Sequence, residues 1–208
     1  MEFGERTADE VMVPRVHVEG LSIDATAEEV RARFGLERVL FIPCGHAPHK
    51  AERGMAAAEH RLRMCELATA SNPWFEVSRV EIDRPGPSYT IDTLRQLRAI
   101  HGADTELFFI IGADALLEID TWHLPDAVLA EARCIAVPRP GSELTGLAGV
   151  IGRERASRVE TVPLLGLEIS ATDLRRRVRE GRPIRYLTPD SVVDYIGREG
   201  LYIGASDS

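Results

Sequence analysis

The run Leu107 to Ile111, LFFII, constrains the fold of this chain more than any other stretch. Five apolar residues, mostly β-branched or aromatic and closed by Gly112, predict a short strand buried on both faces, as in the middle of a parallel sheet. Gly112 is expected to let the backbone turn tightly, and Asp114 follows where the next helix would start. That places Asp114 near the carboxyl end of the strand, the edge where open α/β sheets bind ligands. The same residues also fit an ordinary strand, a turn glycine and a helix-capping aspartate. Only convergence of other segments on that edge turns it into a site.

Strand and helix signals alternate along the rest of the chain. VMVPRVHVEG alternates weakly, and Pro14 would demote it to an edge strand or an irregular start. From Asp24, ATAEEVRARFG has helical spacing, a candidate N-cap and a closing Gly35. Arg38 to Pro43 is a second buried-strand candidate, followed by the loop CGHAPHK. Ala56 to Ala70 predicts a helix with Leu62, Cys65, Leu67 and Ala68 on its apolar face, and Phe75 to Ile82 predicts a strand. Pro85, Gly86 and Pro87 break the chain before a helix from Thr90 to Ile100. Beyond the central strand come a helix near Asp114, one between Asp126 and Ala132, and a strand from Cys134 to Val137 that ends in PRPG. A variable-looking stretch, Ser142 to Arg158, precedes a strand at Val159 to Pro163, and helices at Ala171 to Glu180 and Pro189 to Arg198 close the chain. Repeated strand-then-helix units without hairpin signals predict an α/β fold with a doubly wound parallel sheet.

Composition removes several function classes. The 208 residues are 44% hydrophobic and 28% charged, as in soluble globular proteins. No apolar run approaches the ~20 residues that span a bilayer, so no membrane partner is expected. The acidic, polar opening MEFGERTADE does not read as a signal peptide. A net charge of −8 argues against a general nucleic-acid binder, though a local pocket can still be positive. Cys44, Cys65 and Cys134 are far apart and odd in number; they show no metal-ligand spacing and point to a reducing cytoplasm. Lys50 is the only lysine among 25 basic residues.

Four segments carry polar groups suited to a nucleotide. CGHAPHK offers His46, His49 and Lys50 past a strand end, and PRPG sets Arg139 past another, where a guanidinium can grip a phosphate in bidentate fashion. In EISATDLR, Ser170 or Thr172 can cap the following helix, whose free amides and positive dipole end attract anions beside Arg175. SYTIDTL repeats the pattern, with the hydroxyls of Ser88 and Thr90 at a helix start. Taken singly, each fits a solvated loop or a well-capped surface helix.

Taken together and in this order, RVLFIPCGHAPHK, PSYTIDTL, FFIIGADAL with Trp122, AVPRPG and EISATDLR resemble the bacterial nicotinate-mononucleotide adenylyltransferases of the nucleotidyltransferase superfamily, from Phe34 to Tyr202. EISATDLR resembles that family's version of the ISSTxxR motif shared by the superfamily. SYTIDTL and the Trp after the GAD strand favour the pyridine-nucleotide branch. The resemblance implies a Rossmann-like fold of nucleotidyltransferase type, one domain over 1–208, and Mg²⁺-dependent transfer of AMP from ATP to nicotinate mononucleotide. The products would be nicotinate adenine dinucleotide and pyrophosphate, in NAD biosynthesis in the cytoplasm, and a homo-oligomer is compatible with it. It assigns Ser170, Thr172, Arg175, Gly112, Asp114 and Arg139 to ATP. It assigns Ser88, Thr90, His49, Lys50 and Trp122 to the mononucleotide, with Trp122 against the pyridine ring.

One segment departs from the family. Members open with a strand running into GGTFDPxHxGH, whose glycines admit phosphates to the backbone and whose histidines stabilise the transition state. Here residues 1–23 are atypical and read DEVMVPRVHVEGLSI in that region, with His17 as the only remnant of the histidine pair and hence the catalytic candidate. Losing donors around a reacting phosphate costs factors of hundreds. Two other readings therefore stay open: a catalytically impaired nucleotide-binding relative, and a nucleotidyltransferase with another acceptor.

Overall fold

In a computed structural model, which describes residues 11–16, 21–46, 55–138, 147–162 and 169–203, Leu107 to Ile111 lie deep in a six-stranded sheet, each at most 9% exposed. In chain order the elements are β1 (Val11–Val16), α1 (Leu21–Phe34), β2 (Arg38–Pro43), α2 (Ala58–Thr69), β3 (Phe75–Val77) and α3 (Thr90–His101). Then come β4 (Leu107–Gly112), α4 (Ala113–Leu117), a 3₁₀ turn at Ile119–Thr121, α5 (Pro125–Glu131) and β5 (Arg133–Val137). Last are α6 (Leu147–Ile151), α7 (Arg153–Ala156), β6 (Val159–Thr161), α8 (Ala171–Arg179) and α9 (Asp190–Arg198).

Every strand pair is parallel, and the order is β3-β2-β1-β4-β5-β6. The chain winds outward from β1 in one direction and from β4 in the other. The switch between these neighbours opens a crevice at their carboxyl ends, the place where such sheets bind ligands. Gly112 ends β4 at that edge, and α1 starts just past the end of β1.

The period-2 pattern of β4 divides the core. Leu107, Phe109 and Ile111 pack with Ile91, Leu94 and Leu97 of α3 and with Leu116 and Val128. Phe108 and Ile110 face the opposite layer with Val30, Leu36 and Phe75. A third cluster joins Met64 of α2 and Leu174 of α8 to Val192, Tyr195 and Ile196 of α9.

The structure corrects several expectations. Pro14 lies in a central strand, not at an edge. Its missing N–H is accommodated because β1 pairs with β2 at Val11, Met12, Arg15 and Val16, while its pairing with β4 runs on through Pro14. The expected strand to Ile82 stops at Val77, because the amides of Ile82 and Asp83 both turn back to the Arg79 carbonyl. Helix α1 begins at Leu21, so Asp24 lies inside it and is not the N-cap, while Gly35 takes φ +67° just past its end. The variable-looking stretch before β6 contains α6 and α7. Gly112 adopts φ −64°, ψ 139°, a conformation open to any residue, so no tight turn demands glycine there.

Candidate functional site

The carboxyl edge of the sheet is built by loops that lock onto one another. Gly45, two residues past β2, touches the turn after β3 so closely that a Cβ would lie 2.1 Å from the Glu81 carbonyl oxygen and 3.0 Å from Ser88 Oγ. Only glycine permits that approach. The next residue completes a reciprocal bridge. The His46 amide donates to Ser88 Oγ at 3.1 Å, and the Ser88 amide donates to the His46 carbonyl at 2.8 Å. Ser88 is fully buried by this. It clasps the β2 loop to the start of α3 rather than presenting its hydroxyl at the surface. Arg61 of α2 adds a second tie, donating to the carbonyls of Gly45 and Ala56, each at 3.2 Å.

Beneath the start of α3 lies a buried polar knot. Thr93 Oγ1 donates to Glu81 Oε1 and accepts from Arg84 Nη2, both at 2.8 Å. Glu81 Oε2 and Arg84 Nε are buried without partners among the described residues. The knot fixes the first turn of α3, where Thr90 is the first helical residue and is itself buried.

Trp122 comes to the same place from β4. Its ring meets Phe109 edge-on at 6.0 Å, so one side belongs to the core while the residue stays only partly buried. The neighbouring His123 packs against Tyr89 with ring centroids 4.4 Å apart and planes tilted by 36°, and Tyr89 sits between Ser88 and Thr90. That contact joins the α3 start to the Trp122 segment. Leu124 then takes φ +52° directly before Pro125, a backbone state that costs roughly 1–3 kcal/mol for a non-glycine residue and is further disfavoured before proline. Strain of this kind persists where the surroundings over-determine it.

Gly112 and Asp114 are exposed at this same edge, at the start of α4, and a Cβ on Gly112 would meet nothing within 4 Å. The EISATDLR helix is placed differently. Ser170 caps α8, its Oγ accepting from the Asp173 amide at 3.1 Å, and Arg175 donates to Thr172 Oγ1 at 3.2 Å. Through Leu174, α8 is packed on α2 and α9 rather than on the sheet. The Arg177 and Arg176 guanidiniums hold the Asp173 carboxyl down at about 2. His17, His49, Lys50 and Arg139 lie outside the described residues.

A cleft of about 590 Å³ lies at the opposite edge, between the amino ends of β4, β5 and β6. Its arginines are spoken for: Arg98 pairs with Glu131, Arg133 with Glu106 and Glu160, and Arg158 with Glu154. Each arginine lining this cleft is therefore compensated by a carboxylate.

The cytidylyltransferase-like family model matches residues 25–177. A protein of Acidothermus cellulolyticus named "Probable nicotinate-nucleotide adenylyltransferase" is 49% identical over 180 residues, 85% of this chain and 85% of that one. The chain belongs to the nicotinate-nucleotide adenylyltransferase family. A Moorella thermoacetica protein of the same name is also 49% identical, over 183 residues covering 85% of this chain and 83% of that one. In fold, this family member is similar to the Plasmodium falciparum nicotinic acid mononucleotide adenylyltransferase complexed with NaAD. The TM-score is 0.73 at 14% identity, over 93% of this chain and 97% of that one. Positions 17–20 separate Val16 from Leu21. The family match starts beyond them.

Sequence reasoning missed Gly45, Tyr89 and His123. Tyr89 and His123 each adjoin a residue already singled out, and aromatic neighbours of two candidate ligands were the available signal. Nothing in the sequence indicated that Gly45 meets Glu81.

Proposed function

We propose that this chain transfers the adenylyl group of ATP to nicotinate mononucleotide, releasing pyrophosphate and nicotinate adenine dinucleotide in NAD biosynthesis. The observation that supports the reading is the Tyr89–His123 ring contact, which brings the start of α3 and the partly buried Trp122 together at the sheet's carboxyl edge. A flat, partly apolar ring beside a helix N-terminus suits a molecule with an aromatic base at one end and a phosphate at the other.

The chemistry is a displacement at the α-phosphorus. An oxygen of the mononucleotide 5′-phosphate forms the new P–O bond, the bond to the bridging oxygen breaks, and pyrophosphate leaves with that electron pair. The attacking phosphate is already anionic, so no general base is required, and catalysis rests on alignment and charge neutralisation. In this reading Ser170, Thr172 and Arg175 hold ATP phosphates, and Gly112 and Asp114 position adenosine, the bare Gly112 edge allowing close approach. Arg139 extends the ATP side. Thr90, Trp122, His49 and Lys50 take the mononucleotide, while Ser88 acts through its clasp on His46. Mg²⁺ would accompany ATP and offset phosphate charge. A cation of this kind would be held largely by the substrate phosphates. We treat 1–208 as one domain. No helix among the described residues is long and apolar enough to cross a membrane, and we place the reaction in the cytoplasm.

The altered N-terminal segment, in which His17 is the only remnant of the histidine pair, favours a second reading, in which the chain binds nucleotides without transferring AMP. Pyrophosphate release from ATP and nicotinate mononucleotide with Mg²⁺, measured beside a version with a rebuilt GGTFDPxHxGH segment, separates the two. Substantial turnover in both would make His17 and its neighbours sufficient. Turnover only after rebuilding would mean a sound scaffold disabled at its N-terminus. Silence in both, with ATP still bound, would establish the binding module.

A further inference from the structure

The geometry points to Arg155 of α7 as a positioning residue for Trp122, acting through the backbone that carries it. Its guanidinium brackets the strained segment. Nε donates to Asp126 Oδ1 at 2.7 Å, and Nη1 donates to Asp120 Oδ1. One aspartate precedes the Trp122–His123–Leu124–Pro125 stretch and the other follows it, so a single planar fork fixes the distance between the two ends of the loop. The Arg155 side chain is 23% exposed, whereas those of Asp120 and Asp126 are 74% and 77% exposed.

That asymmetry separates positioning from stabilising. Solvent-exposed ion pairs contribute little to global stability, so losing the Arg155 pairs should leave the fold nearly as stable. The fork instead adds to the contacts at Phe109 and Tyr89 that together keep Leu124 in its left-handed state. Trp122 is anchored on one side by Phe109 and His123 is anchored by Tyr89. Without the fork, the chain between Asp120 and Asp126 can relax, and the exposed side of the Trp122 ring changes its tilt toward the crevice. Lysine reaches the same carboxylates as a point charge but cannot span both with a rigid fork. The inference rests on the reading of Trp122 as a wall of the mononucleotide pocket.

The test uses the full chain with Trp74→Phe, which leaves Trp122 as its only tryptophan. Fluorescence quenching gives the Kd of nicotinate mononucleotide, and calorimetry gives the Kd of ATP. Arg155→Ala and the pair Asp120→Asn with Asp126→Asn are expected to weaken mononucleotide binding about 3- to 10-fold, with ATP affinity unchanged and the thermal midpoint within about 2 °C. Arg155→Lys should recover part of the loss, and 1 M salt should bring the parent toward the alanine variant. Unchanged mononucleotide affinity, or equal loss for both ligands with a lowered midpoint, overturns the assignment. If the parent itself shows no mononucleotide binding, the functional reading fails. Amide hydrogen exchange at residues 122–124 then still decides whether Arg155 orders the loop. Faster exchange in Arg155→Ala, confined to those amides, upholds the brace, and no change overturns it.

Discussion

A methyl group at position 45 would sit 2.1 Å from a carbonyl oxygen, 2.8 Å from its carbon and 3.0 Å from the Ser88 hydroxyl. Two of those three atoms are backbone and cannot swing aside. Gly45→Ala must therefore push the β2 loop off the turn at Glu81, and the reciprocal His46–Ser88 bridge goes with it. Overpacking of this kind costs about 1–3 kcal/mol, and calorimetry should show a midpoint lowered by roughly 2–12 °C for a chain of this size. An unchanged midpoint would mean that the two loops are not in contact. Gly112 is the opposite case, since its backbone is ordinary and its Cβ direction is open, so Gly112→Ala should leave stability nearly unchanged. The two glycines look alike in the sequence. Contact with a segment more than thirty residues away separates them.

At the scale of the element, α8 shows how one helix start combines capping and charge. Ser170 satisfies the Asp173 amide, and the Asp173 carboxylate in turn receives Arg177 at 2.6 Å and also Arg176. The Asp173 carboxyl is held at about 2, below its ordinary 3.8. A depressed carboxyl contributes stability that is fully present above the ordinary value and lost as pH falls through the folded one. The ion pairs of α8 should therefore persist down to pH 4 and come apart between pH 4 and 2. Carboxyl NMR should place the Asp173 midpoint near 2 at low salt, and 1 M salt should move it back toward 3.8, because these pairs face solvent. A low-salt midpoint near 3.8 would mean the pairs do not form. Most of the elements were legible in the sequence by periodicity and punctuation. The exceptions have local causes. The turn bonds at Arg79 ended β3 early, and α6 and α7 have 5 and 4 residues, too few to show a helical period.

Over the whole molecule, the parallel sheet brings residues distant in the chain to one edge and leaves the paired-charge cleft at the other. If Trp122 is the ring that meets the pyridine base, Trp122→Ala should weaken nicotinate mononucleotide binding by about 3- to 10-fold, the range of one aromatic contact, while ATP affinity holds. Equal loss for both ligands would reduce Trp122 to a core residue packed on Phe109. The sequence by itself determined the doubly wound α/β class, the buried central strand, the capped start of α8 and the family, because hydrophobic period, turn chemistry and motif order are local properties. The tertiary structure alone decided that a proline-bearing strand stands in the centre of the sheet, because β1 is flanked by β2 and β4. It also decided that Ser88 is a buried clasp and Gly45 a point of contact, and that Arg155 grips both ends of the Trp122 loop. These depend on which surfaces meet, and contacts across 29 to 42 residues of chain leave no trace in any window of sequence.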